Sequence, residues 1–343
     1  MTAALFCGAS LLSIVLPVPA PAAPAPASEN WVKSPKNPML SLGPAGAFDH
    51  QNIFAPAVVK DGGRYCMFYS GGPAGPKTGE DLVRYQIGLA LSDDGETWTK
   101  TGRPLLPLGP RDDFHAAPSL LRNPQGDLLK LEGLWHLFYN GNRPDDVEHA
   151  TSRDGLQWEK DSRSPIFQRA YAPHFVKVGA EVRMYYIEKP RLADGKRPPW
   201  QVSLATGADI YSLRPHPANP MITVSQGWED RALVYPYVLR EGSTWVMFYA
   251  AYWQGHPTAK TATAIGMATS HDGVKWTKHA SNPVLTPTPG SPYDAIYTSS
   301  QSVIRDGEIY RLYYGARIDM VHKYFSIGLA TKRGNLVDAP AAR

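Results

Sequence analysis

Four short phrases recur in a fixed order along this chain, about sixty residues apart, and a repeat of that kind limits the fold more than any other feature. The first phrase carries an aromatic or an acid into an apolar run: "FDHQNIFAPAVV", "DDFHAAPSLL", "FQRAYAPHFV", "WEDRALVYPYVL" and "YDAIYTSSQSVI". The second alternates aromatic and polar residues, as in "RYCMFYSG", "LWHLFYNG", "VRMYYIEK", "TWVMFYAA" and "IYRLYYGA". The third is built on small residues, as in "QIGLALS", "QVSLATG" and "AIGMATS". The fourth runs from Trp to Pro: "TWTKTGRPLL", "QWEKDSRSPIF" and "KWTKHASNPVL". Two-residue alternation with aromatic and β-branched enrichment marks strands, and no stretch beyond the first thirty residues shows a 3.6-residue apolar period. The phrases are therefore taken as strands A, B, C and D of one unit.

Five such units predict an all-β fold, a five-bladed β-propeller of four-stranded antiparallel blades. The fifth unit ends at "LATKRGN" without a D phrase, whereas residues 30–40, "NWVKSPKNPML", are a D phrase with no unit before them. The N-terminal strand is thus expected to complete the last blade and close the ring, which leaves no open edge. Residues 28–343 make one domain. Its 43% hydrophobic content supplies a large core, and 32 prolines and 30 glycines suit many short strands and turns. A formal net charge of +4 spread without basic runs gives no footprint for nucleic acid. Residues 1–27 hold an uncharged apolar stretch broken by Pro17, then Ala25-Pro26-Ala27 before Ser28. They are predicted to be a signal peptide, which makes the mature chain secreted or periplasmic and free of the membrane. Cys66 is then left without a disulfide partner and sits as a small apolar residue in "YCMFY".

Strand order sorts the loops onto two rims. The C–D turns "SDDGETW" (92–98), "SRDGLQW" (152–158) and "SHDGVKW" (270–276) resemble the Asp-box turns of sialidases and other propellers, one residue short. Asp94, Asp154 and Asp272 are expected to bond turn backbone. The opposite rim gathers the starts of the A strands and the B–C loops. There Asp49, Glu229 and Asp294 each stand seven residues before Pro56, Pro236 or Gln301, each after an aromatic, Phe48, Trp228 or Tyr293. Asp112 and Asp113 stand slightly closer to Pro118, and the third unit offers no acid. Several carboxylates around one funnel suit glycoside hydrolysis, which needs one protonated and one ionised. The same rim would bind sugar through His50, His115, Arg143, Tyr171, His174, Glu188, Trp228, Arg231, Tyr252, Trp253 and Arg317, since aromatic faces stack on sugar rings and polar groups bond hydroxyls. Glu188, in "IEKP", ranks below Glu229 as an acid because it ends an outer strand.

Over residues 30–334 the chain resembles the five-bladed propeller glycosidases, the superfamily of glycoside hydrolase families 43, 32, 62, 68, 117 and 130. The likeness rests on the unit phrases and on "FDHQNIFAPAVVKDGGRYCMFYSGG". It implies Asp49 as general base and Glu229 as general acid, with Asp113 and Asp294 positioning substrate or tuning proton affinity. Asp49 and Glu229 belong to units that are not neighbours, so the expected gap favours inversion. The chain departs from families 43 and 32 by having Asp49-His50 in place of D-P and Glu229-Asp230-Arg231 in place of E-x-P. The likeness to family 117 keeps His115 and His174 in view as acids. A phosphorylase of the family 130 type, with Arg143, Arg231 and Arg317 holding phosphate, is one alternative; a non-catalytic carbohydrate-binding propeller is another. No cofactor is required by this reading, although a structural divalent cation in the axial channel, near His50, His115 or His174, is an open alternative.

Overall fold

The protein was analysed as a computed structural model, in which residues 31–72, 85–108, 114–141, 145–225, 227–254, 262–318 and 325–337 are described. The segment expected to be a signal peptide lies outside them. All regular structure among the described residues is β. Unit 1 contains β2 (Asn52–Asp61), β3 (Arg64–Gly72), β4 (Gln86–Ser92) and β5 (Thr99–Lys100); unit 2 contains β6 (His115–Leu120), β7 (Trp135–Gly141), β8 (Asp146–Ser152) and β9 (Glu159–Lys160). Unit 3 contains β10 (Tyr171–Val178), β11 (Glu181–Glu188), β12 (Gln201–Gly207) and β13 (Arg214–Pro215). Unit 4 contains β14 (Ala232–Glu241), β15 (Thr244–Trp253), β16 (Ala262–Ser270) and β17 (Thr277–Lys278). β18 (Tyr297–Asp306), β19 (Ile309–Arg317) and β20 (Phe325–Arg333) form unit 5.

Within each unit consecutive strands pair antiparallel, giving the four-stranded sheets of a propeller-like fold. Units 4 and 5 are joined by one parallel bridge, Thr263 with Tyr297. The displaced D phrase is β1 (Val32–Lys33), and it pairs antiparallel with β20, Val32 opposite Thr331 and Lys33 opposite Ala330. Asn37 extends that pairing: its side chain donates to the Leu329 carbonyl at 2.9 Å and accepts from the Leu329 N–H at 2.8 Å. Asn219 and Asn282 make the same two bonds, to Leu204 and Met267. Alternating residues of the B and C strands bury between neighbouring units, where apolar area supplies most of the stabilisation at about 25 cal/mol per Å². Phe138 of unit 2 stacks on Phe175 of unit 3 at 3.6 Å. Units 1 and 5 also touch, with the Val58 N–H donating to Ser302 Oγ at 3.0 Å and the Tyr313 hydroxyl to the Gly95 carbonyl at 2.8 Å.

Two features set the rims. Every A strand bulges, at Ala55, Ala117, Ala172, Tyr235 and Ser300, where φ is near +50°. These residues and the prolines after four of them line an axial cavity of ≈ 40 Å³, with room for about one water and none for a sugar. At the other rim the Asp-box-like turns form as expected. Asp94, Asp154 and Asp272 each accept from two following backbone N–H groups, and Ser92, Ser152 and Ser270 bond the same turns. Those backbone donors hold all three carboxyls below the usual range, Asp272 at about 2.

Candidate active site

The three acids that the sequence aligned share one surrounding, and it is not an open funnel. Asp49 accepts from the Tyr69 hydroxyl at 2.8 Å and from Lys100 Nζ at 2.6 Å. Glu229 accepts from Tyr249 at 2.8 Å, from Lys278 and from Ser225. Asp294 accepts from Tyr314 at 3.2 Å and from Lys33. In each unit the acid precedes strand A, the tyrosine lies on strand B and the lysine on strand D. The acid side chain therefore reaches across the face of the sheet to the outermost strand. The preceding aromatic goes with it: Phe48 stacks on Tyr69 at 6.2 Å, and Trp228 on Tyr249 at 5.9 Å. Glycine beneath makes this approach feasible, since a Cβ at Gly88 would meet Phe48 at 2.7 Å, and one at Gly266 would meet Trp228 at 2.7 Å.

These three clasps are closed. Asp49 and Glu229 are 2% exposed and Asp294 is fully buried. Burial and the adjacent carboxylate raise the Tyr69, Tyr249 and Tyr314 hydroxyls above their ordinary range, so they stay neutral donors. Burial lowers Lys33, and Asp294 partly offsets this. A buried carboxylate with its own lysine and tyrosine, repeated in three units, is a packing device. Asp49, Glu229 and Asp294, expected as general base, general acid and tuning acid, thus each sit in a buried cluster within their own unit.

Units 2 and 3 depart from the clasp. In unit 2, His115 stands near the clasp acid's place and its Nε2 lies 3.3 Å from Lys160 Nζ; Glu148 of strand C takes the Tyr139 hydroxyl at 3.4 Å. Glu148 stands where units 1, 4 and 5 have Gly88, Gly266 and Gly328. In unit 3, Pro215 pairs with Ala205 where Lys100 pairs with Ala90 and Lys278 with Ala268, so the clasp amine is missing. Glu188 supplies the carboxylate there, from the end of strand B. It is half-buried, and its Oε2 accepts from Ser203 Oγ at 2.8 Å and from Gln201 Nε2 at 3.0 Å.

Around Lys189, the next residue in the chain, the rim is aromatic and cationic. Lys189 pairs with Asp145 of unit 2, and its Nζ lies 4.3 Å from the Tyr171 ring centroid and 4.6 Å from that of Trp200. The Tyr171 and Tyr235 hydroxyls bond each other at 2.7 Å, and burial raises both. A recess of ≈ 450 Å³ opens next to them, lined by Arg197, Trp200, Arg231 and Tyr252, within the range of small-ligand sites. The recess is anchored by main chain: Leu233 N–H donates to the Trp200 carbonyl at 3.0 Å, and Arg231 N–H to that of Tyr252 at 3.3 Å.

Of the predicted binding residues the structure thus brings Arg231 and Tyr252 together at the recess, with Tyr171 against Trp200 at its edge, while Glu188 lies with Gln201 and Ser203 on the other face of the unit 3 sheet. Trp253 ends β15 next to Tyr252, half-buried. Arg317 is buried, with its guanidinium 4.2 Å from the Tyr297 ring centroid, and Tyr297 in turn meets Tyr252. Four residues lie elsewhere. Trp228 belongs to a clasp. His115 is buried within unit 2, its Nδ1 3.1 Å from the Leu106 carbonyl. His174 lines the axial cavity, bonds the Val238 carbonyl and is pushed down to about 3 by burial and Arg122. His50 bonds the Ala47 carbonyl. The three histidines singled out for an axial cation therefore stand in separate surroundings. No three His, Cys, Asp or Glu side chains converge for a metal among the described residues. Asp112, Asp113 and Arg143 lie outside those residues. Sequence reasoning missed Lys33, Lys100 and Lys278, although Lys is the recurrent residue of the D phrase, and it missed Trp200, Lys189 and Asp145.

No protein-family model matches the chain. An uncharacterized protein of Mycobacterium tuberculosis, Rv1502, is 25% identical over 241 residues, which are 63% of this chain and 72% of that protein. A solved structure described as a glycoside hydrolase superposes with a TM-score of 0.71 at 20% identity, over 90% of this chain and 95% of the other. A β-1,2-mannobiose phosphorylase from Listeria innocua, solved with β-1,2-mannobiose, superposes with a TM-score of 0.66 at 12% identity, over 89% and 97%. At these identities the likeness is one of fold, the propeller-like fold that the unit phrases had indicated.

Proposed function

We propose that this chain is an enzyme that cleaves glycosidic bonds, with its sugar seated in the recess between Trp200, Arg231 and Tyr252. The observation that carries the reading is that recess, where the aromatic faces of Trp200 and Tyr252 meet Arg197 and Arg231. Flat aromatic surfaces stack on sugar rings and guanidinium groups bond hydroxyls. The fold shared with solved glycoside hydrolases supports it. In this reading the five units are the blades of one ring, β1 closes it, residues 1–27 direct the chain out of the cytoplasm and are removed, and no cofactor takes part.

Hydrolysis is the reaction proposed. Phosphorolysis is a second reading, favoured by the three cations Lys189, Arg197 and Arg231 around one recess. Purified protein incubated with 4-nitrophenyl glycosides and with oligosaccharides, with and without phosphate, tests both. Release of reducing sugar without phosphate supports hydrolysis, and a strict phosphate requirement supports phosphorolysis. Glycan binding with no turnover under either condition would leave a binding propeller and sink the enzymatic reading.

A further inference from the structure

The charge around the recess deepens the reading of a sugar seat, and the following inference rests on that seat. We infer that the sugar taken there is acidic, a ring that carries an anionic oxygen group such as a uronate carboxylate, held by the guanidinium groups of Arg197 and Arg231.

One wall of the recess comes from the B–C connection of unit 3. Its stretch "KPRLADGKRPPW", residues 189–200, sets Lys189, Arg191, Lys196 and Arg197 against the single acid Asp194. Asp194 pairs with Lys196 at 2.8 Å, and Lys189 pairs with Asp145 of unit 2. Arg191 and Arg197 are exposed, and neither has an ion pair among the described residues. The other wall brings Arg231 and Tyr252 from unit 4. The rest of the lining is aromatic or apolar, and no carboxylate belongs to it. Asp230, next to Arg231 in the chain, accepts from the Gln254 N–H at 2.8 Å and is not part of the lining.

This composition favours an anion over a neutral ring. A sugar hydroxyl both gives and takes hydrogen bonds, whereas a guanidinium group only donates. Two guanidinium groups in one recess repel each other until a negative charge joins them. A carboxylate supplies that charge and accepts two parallel bonds from one guanidinium fork. Trp200 and Tyr252 offer flat faces to the ring that carries it. Both walls are fixed by main chain, through Leu233 N–H to the Trp200 carbonyl and Arg231 N–H to the Tyr252 carbonyl. Pro198 and Pro199 stiffen the segment that delivers Trp200. Outside the recess, Arg191 extends the positive field toward an approaching acidic chain. A sulfate ester on a sugar offers the same anionic oxygens as a uronate, and the test separates the two sources.

Isothermal titration calorimetry of the full chain reads the preference. The probes are trimers of galacturonate, mannuronate and glucuronate, the neutral trimers made by reducing their carboxyl groups, a sulfated galactan oligosaccharide and poly-L-glutamate. At least one acidic sugar is expected to bind about tenfold more tightly than its neutral form, the scale of charge-assisted bonds, with the advantage shrinking as salt is raised. Arg197→Gln and Arg231→Gln are each expected to remove most of that advantage and to leave the neutral trimer within about twofold of its wild-type affinity. Arg197→Lys keeps the charge and loses the fork, so it should fall between the two. Sulfated galactan binding more tightly than every uronate supports the inference with sulfate as the anionic group. A neutral trimer that binds as tightly as its acid overturns the inference and leaves the sugar seat standing. Arginine variants that weaken acid and neutral trimers alike overturn it too. Poly-L-glutamate binding as tightly as the sugars would reduce the feature to a basic surface and reject it. If no sugar of either kind binds, the seat itself is wrong, and this inference falls with it.

Discussion

Lys278→Met isolates what a clasp contributes. The substitution keeps the stem of the side chain over Tyr249, whose ring centroid lies 5.9 Å from Nζ, and removes the charge that faces Glu229. Breaking a buried pair by deleting one partner costs about 3–5 kcal/mol. Here the lysine is 27% exposed, and Tyr249 and Ser225 still donate to the carboxylate, so the expected loss is lower, about 2–3 kcal/mol. For a chain of this size that corresponds to a fall in Tm of roughly 4–6 °C. The double variant Lys278→Met with Glu229→Gln should recover more than half of the loss, since a neutral amide needs no cation and can still bond Tyr249 and Ser225. Differential scanning calorimetry of wild type, both single variants and the double variant supplies the cycle. A fall below 1 °C for Lys278→Met, or no recovery in the double variant, would refute the packing role. So would complete loss of turnover in Lys278→Met with an unchanged Tm.

Three further outcomes are expected. Trp200→Ala should weaken binding of an oligosaccharide that the wild type binds by about fivefold, roughly 1 kcal/mol for one lost aromatic face, and isothermal titration calorimetry reads it. Buried His149 accepts from or donates to His136 at 3.0 Å and bonds Asp161 at 2.9 Å, and burial pushes it down to about 4. The unfolded chain takes up that proton near pH 6.5 and the folded chain only near pH 4. Stability is therefore full above about 6.5 and falls by up to about 3 kcal/mol as pH drops toward 4; urea midpoints that do not change between pH 7 and pH 5 would contradict this. Asp272→Ala should lower Tm and leave glycosidase activity intact, because its carboxylate serves the turn backbone on the far rim.

What the sequence made legible was whatever repeats locally. Period-two alternation and the Trp-to-Pro phrase located the strands, and the unmatched "NWVKSPKNPML" was correctly read as a strand that belongs with the last unit. The Asp-box-like turns were legible because all their bonds fall within a few residues. The fate of the aligned acids was not, because it depends on partners far along the chain: Lys100 is 51 residues from Asp49, and Lys33 is 261 residues from Asp294. A signal was nevertheless present. The third unit was seen to lack an acid, and the same unit has Pro215 where the other D phrases have lysine. Comparing those two gaps would have linked acid to amine. The recess was hidden for another reason, since Trp200 and Lys189 belong to a B–C connection whose sequence does not repeat from unit to unit.

The pairing of β1 with β20 also imposes a schedule on the molecule. Val32 and Lys33 are made well before Thr331 and Ala330, their partners, which lie almost the whole described chain away. At about 5–20 residues per second the first strand waits roughly 15–60 s for its neighbour. Once Asp294 has been made, its lysine is still on the waiting strand, and its tyrosine arrives only with β19. A chain cut short before β20 therefore keeps both an unpaired edge and an uncompensated acid. The arrival of β20 is in this way written into the charge balance of the last unit.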